Sequence, residues 1–147
     1  MSDSGFNTEL FLQLGREVLD QQPFSRLLGA ELTHLRPGDA VLELALKDEL
    51  KQQNGFAHGG VVSYLADNAL TYAGGTAMRV PVVTSEFKIN YVRPAQGERL
   101  IARAKAVSVG KSQSVCRCEV FAVLGHEETL CALAQGTITK MGDAPPG

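Results

Sequence analysis

The stretch that decides the fold is QNGFAHGGVVSYLADNA, which runs from Gln53 to Ala69. A His-Gly-Gly turn leads into an apolar segment with helical spacing, and Asp67 is the single acidic residue of that segment. The first N–H groups of a helix are free, and together with the helix dipole they favour a developing negative charge. A carboxylate among apolar side chains costs free energy to bury, so it usually serves a purpose. The stretch therefore predicts an oxyanion site near a buried carboxylate, which suggests acyl chemistry.

The spacing within this helix points to more than one copy of the chain. Gly59 and Asp67 are eight residues apart, which corresponds to about 12 Å along a helix axis. The Asp side chain leans toward the helix N-terminus but recovers only part of that distance. One carbonyl could hardly touch both groups of the same helix. If both act on one substrate, the Asp comes from a second copy, and the site lies between subunits.

Each of these residues also has a purely structural explanation. A Gly-Gly pair before a helix is most often a turn, and His58 could be an N-cap neighbour or a core histidine. Asp67 could be a solvated or capping residue. Only the combination at this spacing favours a functional site.

Composition and charge narrow the class of protein. The chain has 147 residues, the size of one domain, and a hydrophobic fraction of 44% can supply a sizeable core. The 14 basic and 16 acidic residues are interspersed, unlike the clustered basic face of a nucleic-acid-binding protein. No apolar run reaches membrane-spanning length, and the N-terminus lacks a basic region followed by an apolar one. These features predict a cytoplasmic protein without nucleic-acid or membrane partners.

The three cysteines do not form a recognisable framework. Cys116 and Cys118 point to the same face of a predicted strand, and Cys131 lies on a later strand. An odd number, without a second pair at metal spacing, argues against a disulfide framework or a zinc site. We expect small buried hydrophobic residues and no bound metal.

The remaining chain divides into a helical N-terminal part and a strand-rich C-terminal part. Pro23 ends the first predicted helix, and Arg36-Pro37-Gly38-Asp39 fits a type II turn between two strands. Gly74 and Gly75 weaken the end of the central helix. The predicted elements are a helix over 8–22, strands over 30–35 and 40–46, a loop over 47–57, the central helix over 58–78, strands over 82–92, 99–109, 113–124 and 129–140, and a frayed tail over 142–147.

Alternation in the last strands gives the sheet one apolar and one mixed face. In the predicted strand over 113–124, Cys116, Cys118 and Val120 alternate with Arg117 and Glu119. Such an antiparallel sheet is typically covered by a helix on its apolar side. The pattern predicts an α+β fold in which a sheet wraps around one long helix, although periodicity alone leaves other α+β folds open.

Two motifs carry a resemblance to a known family. HGGVVSYLAD, with the acid nine residues after the His, and TSEFKINYVRPA, from Thr84 to Ala95, resemble hotdog-fold thioesterases, particularly the phenylacetate-pathway (PaaI) type. The resemblance spans roughly Leu28 to Lys140. It implies a hotdog fold over a single domain of residues 1–147, with the helix over 8–22 as an N-terminal addition.

The resemblance also implies an activity and a set of residues. It implies hydrolysis of an acyl- or aryl-CoA thioester to free acid and coenzyme A, without a cofactor, by a homo-oligomer that is a dimer or a tetramer built from two dimers. Asp67 is the expected nucleophile or general base, and the Gly59 N–H is the expected oxyanion donor. His58 is expected to fix the turn. Thr84 occupies the place of a small hydroxyl residue that the family often pairs with this His, and Gln52, with Asn54 as a rival, occupies that of an amide near the thioester.

Substrate contacts are predicted at three places. The turn of Gly110, Lys111 and Ser112, with Arg93, would contact coenzyme A phosphates, since turn amides and a Lys suit phosphate. Gly60 would lie against the substrate beside Gly59. The side chains expected to line the acyl pocket are Tyr64, Leu65, Asn68 and Tyr72. Two other functions stay open, a hotdog hydratase or dehydratase and a non-catalytic acyl-CoA binding module.

Overall fold

The helices and strands of the chain follow the predicted order, with two short elements added. The computed structural model describes residues 5–142, so most of the predicted tail over 142–147 lies outside the described residues. The elements are α1 (Thr8–Asp20), α2 (Pro23–Leu28), β1 (Glu31–Arg36), β2 (Asp39–Ala45), a short 3-10 helix (Asp48–Leu50), α3 (Gly59–Met78), β3 (Val82–Tyr91), β4 (Arg99–Val109), β5 (Gln113–Leu124) and β6 (Glu127–Lys140). The 3-10 helix and α2 are absent from the prediction.

The six strands form one antiparallel sheet in the order β1-β2-β4-β5-β6-β3. The central helix α3 lies across the inner face of this sheet and packs against every strand. The helix α1 packs against the edge strand β1. This arrangement confirms the predicted α+β hotdog fold, with a sheet wrapped around one long helix and an N-terminal helix beside it.

The central helix packs closely on the sheet because small residues line its inner side. Its fully buried residues include Leu65, Ala66, Ala69 and Ala73, which repeat at three- and four-residue spacing. A Cβ at Gly74 would lie 2.7 Å from atoms of β5 and β6, so glycine there permits the close approach of helix and sheet. The expected weakening of the helix at Gly74 is therefore offset by packing, and α3 continues to Met78.

The N-terminal region departs from the prediction at Pro23. The helix α1 ends at Asp20 rather than at position 22, and Pro23 begins α2 instead of only terminating α1. Proline suits the first position of a helix, where its missing N–H would have no intrahelical partner. The helix α2 ends at Leu28 and is capped by Gly29, which has a φ of 79°.

A β-bulge in β3 decides which of its side chains face α3. Phe87 packs against the core, and Tyr91 reaches the first turn of α3. Both are odd-numbered, so strict alternation would turn Thr84 away from the helix. The pairing with β6 shifts at Ser85, and Thr84 lies opposite the buried Ile138 on the inner face. The extra residue therefore brings Thr84 to the same side as Tyr91.

No helix within residues 5–142 combines the length and the apolar character needed to cross a membrane.

Candidate active site

The first turn of α3 leaves a single backbone donor free. His58 is the N-cap residue, and its Nδ1 accepts the Gly60 N–H at 2.8 Å. Its carbonyl accepts the Val61 N–H at 3.0 Å. An imidazole nitrogen that accepts a hydrogen bond is unprotonated, so a neutral His58 carries its proton on Nε2. The Gly59 N–H has no acceptor among residues 5–142, which makes it the donor of this turn that can meet a ligand.

Gly60 serves the cap rather than the ligand. A Cβ at this position would lie 2.9 Å from His58 Nδ1, so the absence of a side chain makes room for the imidazole ring. Because the Gly60 N–H is already bonded to His58, the structure argues against Gly60 as a substrate donor.

The Gly59 N–H lies beside a cleft of about 490 Å³ at one end of the sheet. We call it the Gly59 cleft; it is lined by Gln52, Phe56, Ala57, Gly59, Val62, Tyr91, Val92, Arg93, Pro94, Ala95 and Cys131. Gln52 therefore shares a cleft with Gly59, whereas its rival Asn54 is exposed and absent from this lining. Gln52 Oε1 accepts the Asn54 N–H, which holds the loop in a turn.

The cysteine in this cleft is unsuited to act as a nucleophile. Cys131 is 1% exposed and its thiol donates to the Val120 carbonyl at 3.3 Å. Burial raises the pKa of Cys131 to about 11, so the thiol stays protonated near neutral pH. Burial likewise raises the pKa of Cys118 to about 12. All three cysteines are free and buried, which confirms their expected role as small core residues.

Asp67 lies on another side of α3, in contact with Thr84. The Thr84 hydroxyl donates to Asp67 Oδ1 at 2.6 Å. Thr71 Oγ1 lies 3.0 Å from Thr84 Oγ1 and bonds to the Asp67 carbonyl at 2.9 Å. Within one chain Thr84 does not pair with His58 as expected, because His58 caps the first turn of α3 while Thr84 contacts this helix at Asp67, two turns further along. The expected burial of Asp67 is also wrong for the single chain, where the residue is half-buried.

A second cleft, of about 470 Å³, separates Asp67 from the N-terminal helices. We call it the Asp67 cleft; its lining is Gln21, Gln22, Pro23, Phe24, Ser25, Tyr64, Asp67, Asn68 and Thr71. Of the residues expected to line the acyl pocket, Tyr64 and Asn68 line this cleft, whereas Leu65 is fully buried and Tyr72 lines a neighbouring cleft instead. The Tyr72 hydroxyl donates to the Gly15 carbonyl at 2.8 Å, which ties α1 to α3.

The wall of the Asp67 cleft is a hydrogen-bonded polar cluster. Tyr64 Oη donates to Ser25 Oγ at 2.5 Å, and Ser25 Oγ donates to Gln22 Oε1 at 2.6 Å. Asn68 Nδ2 donates to Gln22 Oε1 at 3.1 Å. Ser25 is 1% exposed, so these bonds satisfy a buried hydroxyl. The cluster anchors α2 to α3 next to Asp67.

The two clefts are separate in one chain. They share no lining residue, and eight residues of α3 separate Gly59 from Asp67, about 12 Å along the axis. The strand β3 contacts both groups. Thr84 contacts Asp67 and Tyr91 contacts Gly59, and these two strand residues are seven positions apart, about 20 Å along β3. The geometry therefore supports the inference that a single substrate carbonyl would reach both groups only if they came from two chains.

The predicted phosphate contacts fall at different places. Arg93 lines the Gly59 cleft and donates to the Leu130 carbonyl at 3.1 Å. The turn of Gly110, Lys111 and Ser112 lies near the other end of β3, because the Ser112 carbonyl accepts the Lys140 N–H at 2.8 Å and Lys140 pairs with Val82. One chain thus places Arg93 beside Gly59 and the Lys111 turn toward the Thr84 end of β3.

Comparison with known proteins decides the family. The family model of the thioesterase superfamily matches residues 54–128, which include the central helix α3 and the strands β3, β4 and β5. The chain belongs to the thioesterase superfamily. A thioesterase family protein from Silicibacter pomeroyi is 35% identical, with a TM-score of 0.84 over 88% of this chain and 98% of that one.

Two further relatives are similar to this thioesterase over most of its length. A mutant of the phenylacetic acid degradation protein PaaI from Thermus thermophilus is 34% identical, with a TM-score of 0.74 over 82% of this chain and all of that one. Acyl-coenzyme A thioesterase 13 from Homo sapiens is 31% identical over 90% of this chain and 94% of its own. These similarities confirm the resemblance and identify the chain as a thioester hydrolase.

Several side chains of this thioesterase that touch the candidate groups were not predicted. Tyr91 and Ser63 contact each other beside Gly59, Thr71 contacts Thr84, and Gln22 and Ser25 close the Asp67 cleft. Tyr91 lies inside the TSEFKINYVRPA motif but carried no assigned role. Within residues 5–142, no group of three or more His, Cys, Asp or Glu side chains could hold a metal ion.

Proposed function

We propose that this thioesterase hydrolyses acyl-CoA thioesters to free acid and coenzyme A, at sites that two copies of the chain build together. One observation carries the proposal. The helix α3 presents a free N–H at Gly59 in one cleft and a carboxylate, Asp67, that accepts a hydrogen bond from Thr84 in another. The names of relatives support the substrate class, since one is an acyl-coenzyme A thioesterase and the PaaI protein acts in phenylacetic acid degradation.

In the proposed site, the Gly59 N–H stabilises the charge that develops on the thioester oxygen. The donor sits at the positive end of α3 and needs no rearrangement to act. Gln52 lies in the same cleft, and its Nε2 has no acceptor among the described residues. An amide there suits either the thioester oxygen or the attacking water.

Asp67 of the partner copy supplies the other half of the reaction. As a general base it takes a proton from water while the water oxygen bonds to the acyl carbon, and the C–S bond then breaks with that proton passing to the thiolate. As a nucleophile its carboxylate bonds to the acyl carbon while the C–S bond breaks, and the coenzyme A thiolate leaves and takes a proton from solvent. Water then cleaves the mixed anhydride to the free acid and regenerates the carboxylate. In both cases the Thr84 hydroxyl holds one carboxylate oxygen at 2.6 Å and leaves the other for the substrate or water.

The Thr84 contact gives a first test of this assignment. Thr84→Val keeps the shape of the side chain but removes the donor to Asp67, and we expect kcat to fall about tenfold with a small change in KM. Thr84→Ser retains the hydroxyl and is expected to stay within about threefold of the parent. Steady-state kinetics on one acyl-CoA checks both, and equal rates for Val and Ser variants would remove Thr84 from the site.

The Lys111 turn gives a test of the coenzyme A contact. Lys111→Ala should raise KM for acyl-CoA about three- to tenfold at low salt, because a coenzyme A phosphate loses its attraction to the Lys111 ammonium group. Since salt screens this attraction, KM of the variant should depend less on salt concentration. Lys105→Ala removes the same charge from the exposed outer face of β4 and should leave KM unchanged.

A truncated thioester without the nucleotide should be hydrolysed equally by the parent and both Lys variants. If Lys111→Ala and Lys105→Ala change KM for acyl-CoA by the same amount, the change comes from the net charge of the protein. The Lys111 turn is then an ordinary surface hairpin.

The function itself is tested by thiol release from a panel of acyl- and aryl-CoA thioesters. Release that depends on Asp67 supports the proposal. Hydration of an enoyl-CoA without thiol release would instead indicate a hydratase, and binding of acyl-CoA without turnover would indicate a non-catalytic module.

Assembly and location complete the proposal. The shared site requires at least a dimer, and two dimers would form the tetramer that the family resemblance implies. The three free cysteines suit a reducing compartment such as the cytoplasm.

A further inference from the structure

We infer that Tyr91, supported by Ser63, is a positioning residue for the Gly59 oxyanion donor. This inference rests on the proposed function, because it concerns how the donor of that site is held. It assigns a role to two side chains, that of Tyr91 on β3, which contacts Gly59, and that of Ser63 on the next turn of α3, which contacts Tyr91.

The contact is made to the peptide that follows the donor. Tyr91 Oη donates to the Gly59 carbonyl at 3.0 Å. Since this uses the phenol proton, the Ser63 hydroxyl, 2.7 Å from Tyr91 Oη, is the donor of the second bond. The same peptide unit ends in the Gly60 N–H, which bonds to His58 Nδ1. One peptide plane of the first turn is therefore clamped at its oxygen by Tyr91 and at its nitrogen by His58.

A clamp at this place has a specific consequence for catalysis. The first residue of a helix has no intrahelical bond through its N–H, and helix ends fray. Two glycines in succession make this end freer still, because glycine has the largest choice of backbone angles. The Gly59 N–H belongs to the preceding peptide, whose His58 carbonyl already accepts the Val61 and Val62 N–H groups. Fixing the next peptide, between Gly59 and Gly60, limits rotation on the other side of Gly59, so that both peptide planes beside the donor are held. Oxyanion stabilisation depends on donors that are oriented before the reaction.

The position of the Tyr91 ring fits this role and leaves the donor accessible. Tyr91 is 53% exposed in the single chain and lines the Gly59 cleft, so its ring is not part of the chain's own core. A Cβ at Gly59 would lie 3.4 Å from Tyr91 Oη and 3.5 Å from Tyr91 Cζ. The ring therefore stands against the glycine on the side where a Cβ would lie.

The test removes the hydroxyl groups without changing side-chain shape. Tyr91→Phe should lower kcat about tenfold and leave KM within about twofold, because the clamp acts on the transition state. Ser63→Ala should lower kcat about threefold, and the double variant should be no slower than Tyr91→Phe alone, since Ser63 acts through Tyr91. Additive losses, or an unchanged kcat in Tyr91→Phe, would overturn the inference while leaving thioester hydrolysis intact.

Two further measurements separate positioning from general destabilisation. A trifluoromethyl ketone analogue of acyl-CoA adds water to give a hydrate that resembles the tetrahedral intermediate, and it should bind Tyr91→Phe about tenfold more weakly. An S-alkyl-CoA thioether, which has no carbonyl, should bind the parent and the variant equally. Backbone ¹⁵N relaxation should show larger motion at Gly59 and Gly60 in Tyr91→Phe, whether or not a given thioester is turned over. Unchanged motion there contradicts the clamp, and a parent that hydrolyses no thioester in the panel counts against the proposed function instead.

Discussion

Replacement of Asp67 by Asn is expected to lower kcat for thioester hydrolysis at least about a hundredfold, as for the loss of a principal acid–base or nucleophilic group. The variant should still fold. Asp67 is half-buried, and the Thr84 hydroxyl that donates to Oδ1 can donate equally to the Asn carbonyl oxygen. The change therefore removes the charge and the basicity while the local hydrogen bond persists.

The matched control for this prediction is Asp48→Asn. Asp48 has an exposed side chain and forms a surface pair with Lys51, so the same chemical change there should leave kcat and KM unaltered. Thiol release and thermal unfolding are measured for the parent and both variants. A folded Asp67→Asn protein with nearly normal turnover would remove Asp67 from the reaction.

Mixing two inactive variants is expected to restore about one quarter of the parental activity if two chains share each site. Asp67→Asn lacks the carboxylate, and Gly59→Val places methyl groups where a Cβ is already 3.4 Å from Tyr91 Oη, which blocks the donor. In a mixed dimer, one site carries both defects and the other carries neither. Equal random exchange makes about half of the dimers mixed, and half of their sites intact.

The double variant, with both changes in one chain, is the complementary experiment. In a mixed dimer with the parent, each shared site takes one defective group from the double variant, so both sites are inactive. With equal mixing, half of the parental chains are in such dimers, and the activity per parental chain should fall about twofold. Sites contained within one chain would give the opposite pattern, with no recovery in the first mixture and no loss in the second. Both mixtures are assayed after subunit exchange is complete.

The sequence predicted the elements well wherever a periodic pattern had clear ends. The central helix and the strands β4 and β5 lie where the apolar spacing placed them. The short helix α2 was missed because Pro23 also reads as a stop signal, and six residues are too few to show a helical period. Periodicity could therefore locate the layers of the fold but not every short connection between them.

The contacts within the candidate site were less accessible to prediction. The Asp67–Thr84 contact depends on an unpredicted bulge, and the motif alone suggested His58 as the partner of Thr84. The polar cluster beside Asp67 joins Ser25 and Gln22 to α3 residues about forty positions away. No local sequence pattern predicts such a contact, because it depends on how α2 packs against α3.

The extra residue in β3 makes the site sensitive to chain length as well as to residue type. Because Ser85 shifts the register, loss or gain of one residue before Glu86 would turn a hydroxyl at position 84 to the outer face while every residue near Asp67 kept its identity. During divergence, a single-codon deletion would thus remove the hydroxyl that supports Asp67. A gap of one position in this strand would therefore mark a relative in which the Asp67–Thr84 contact is lost.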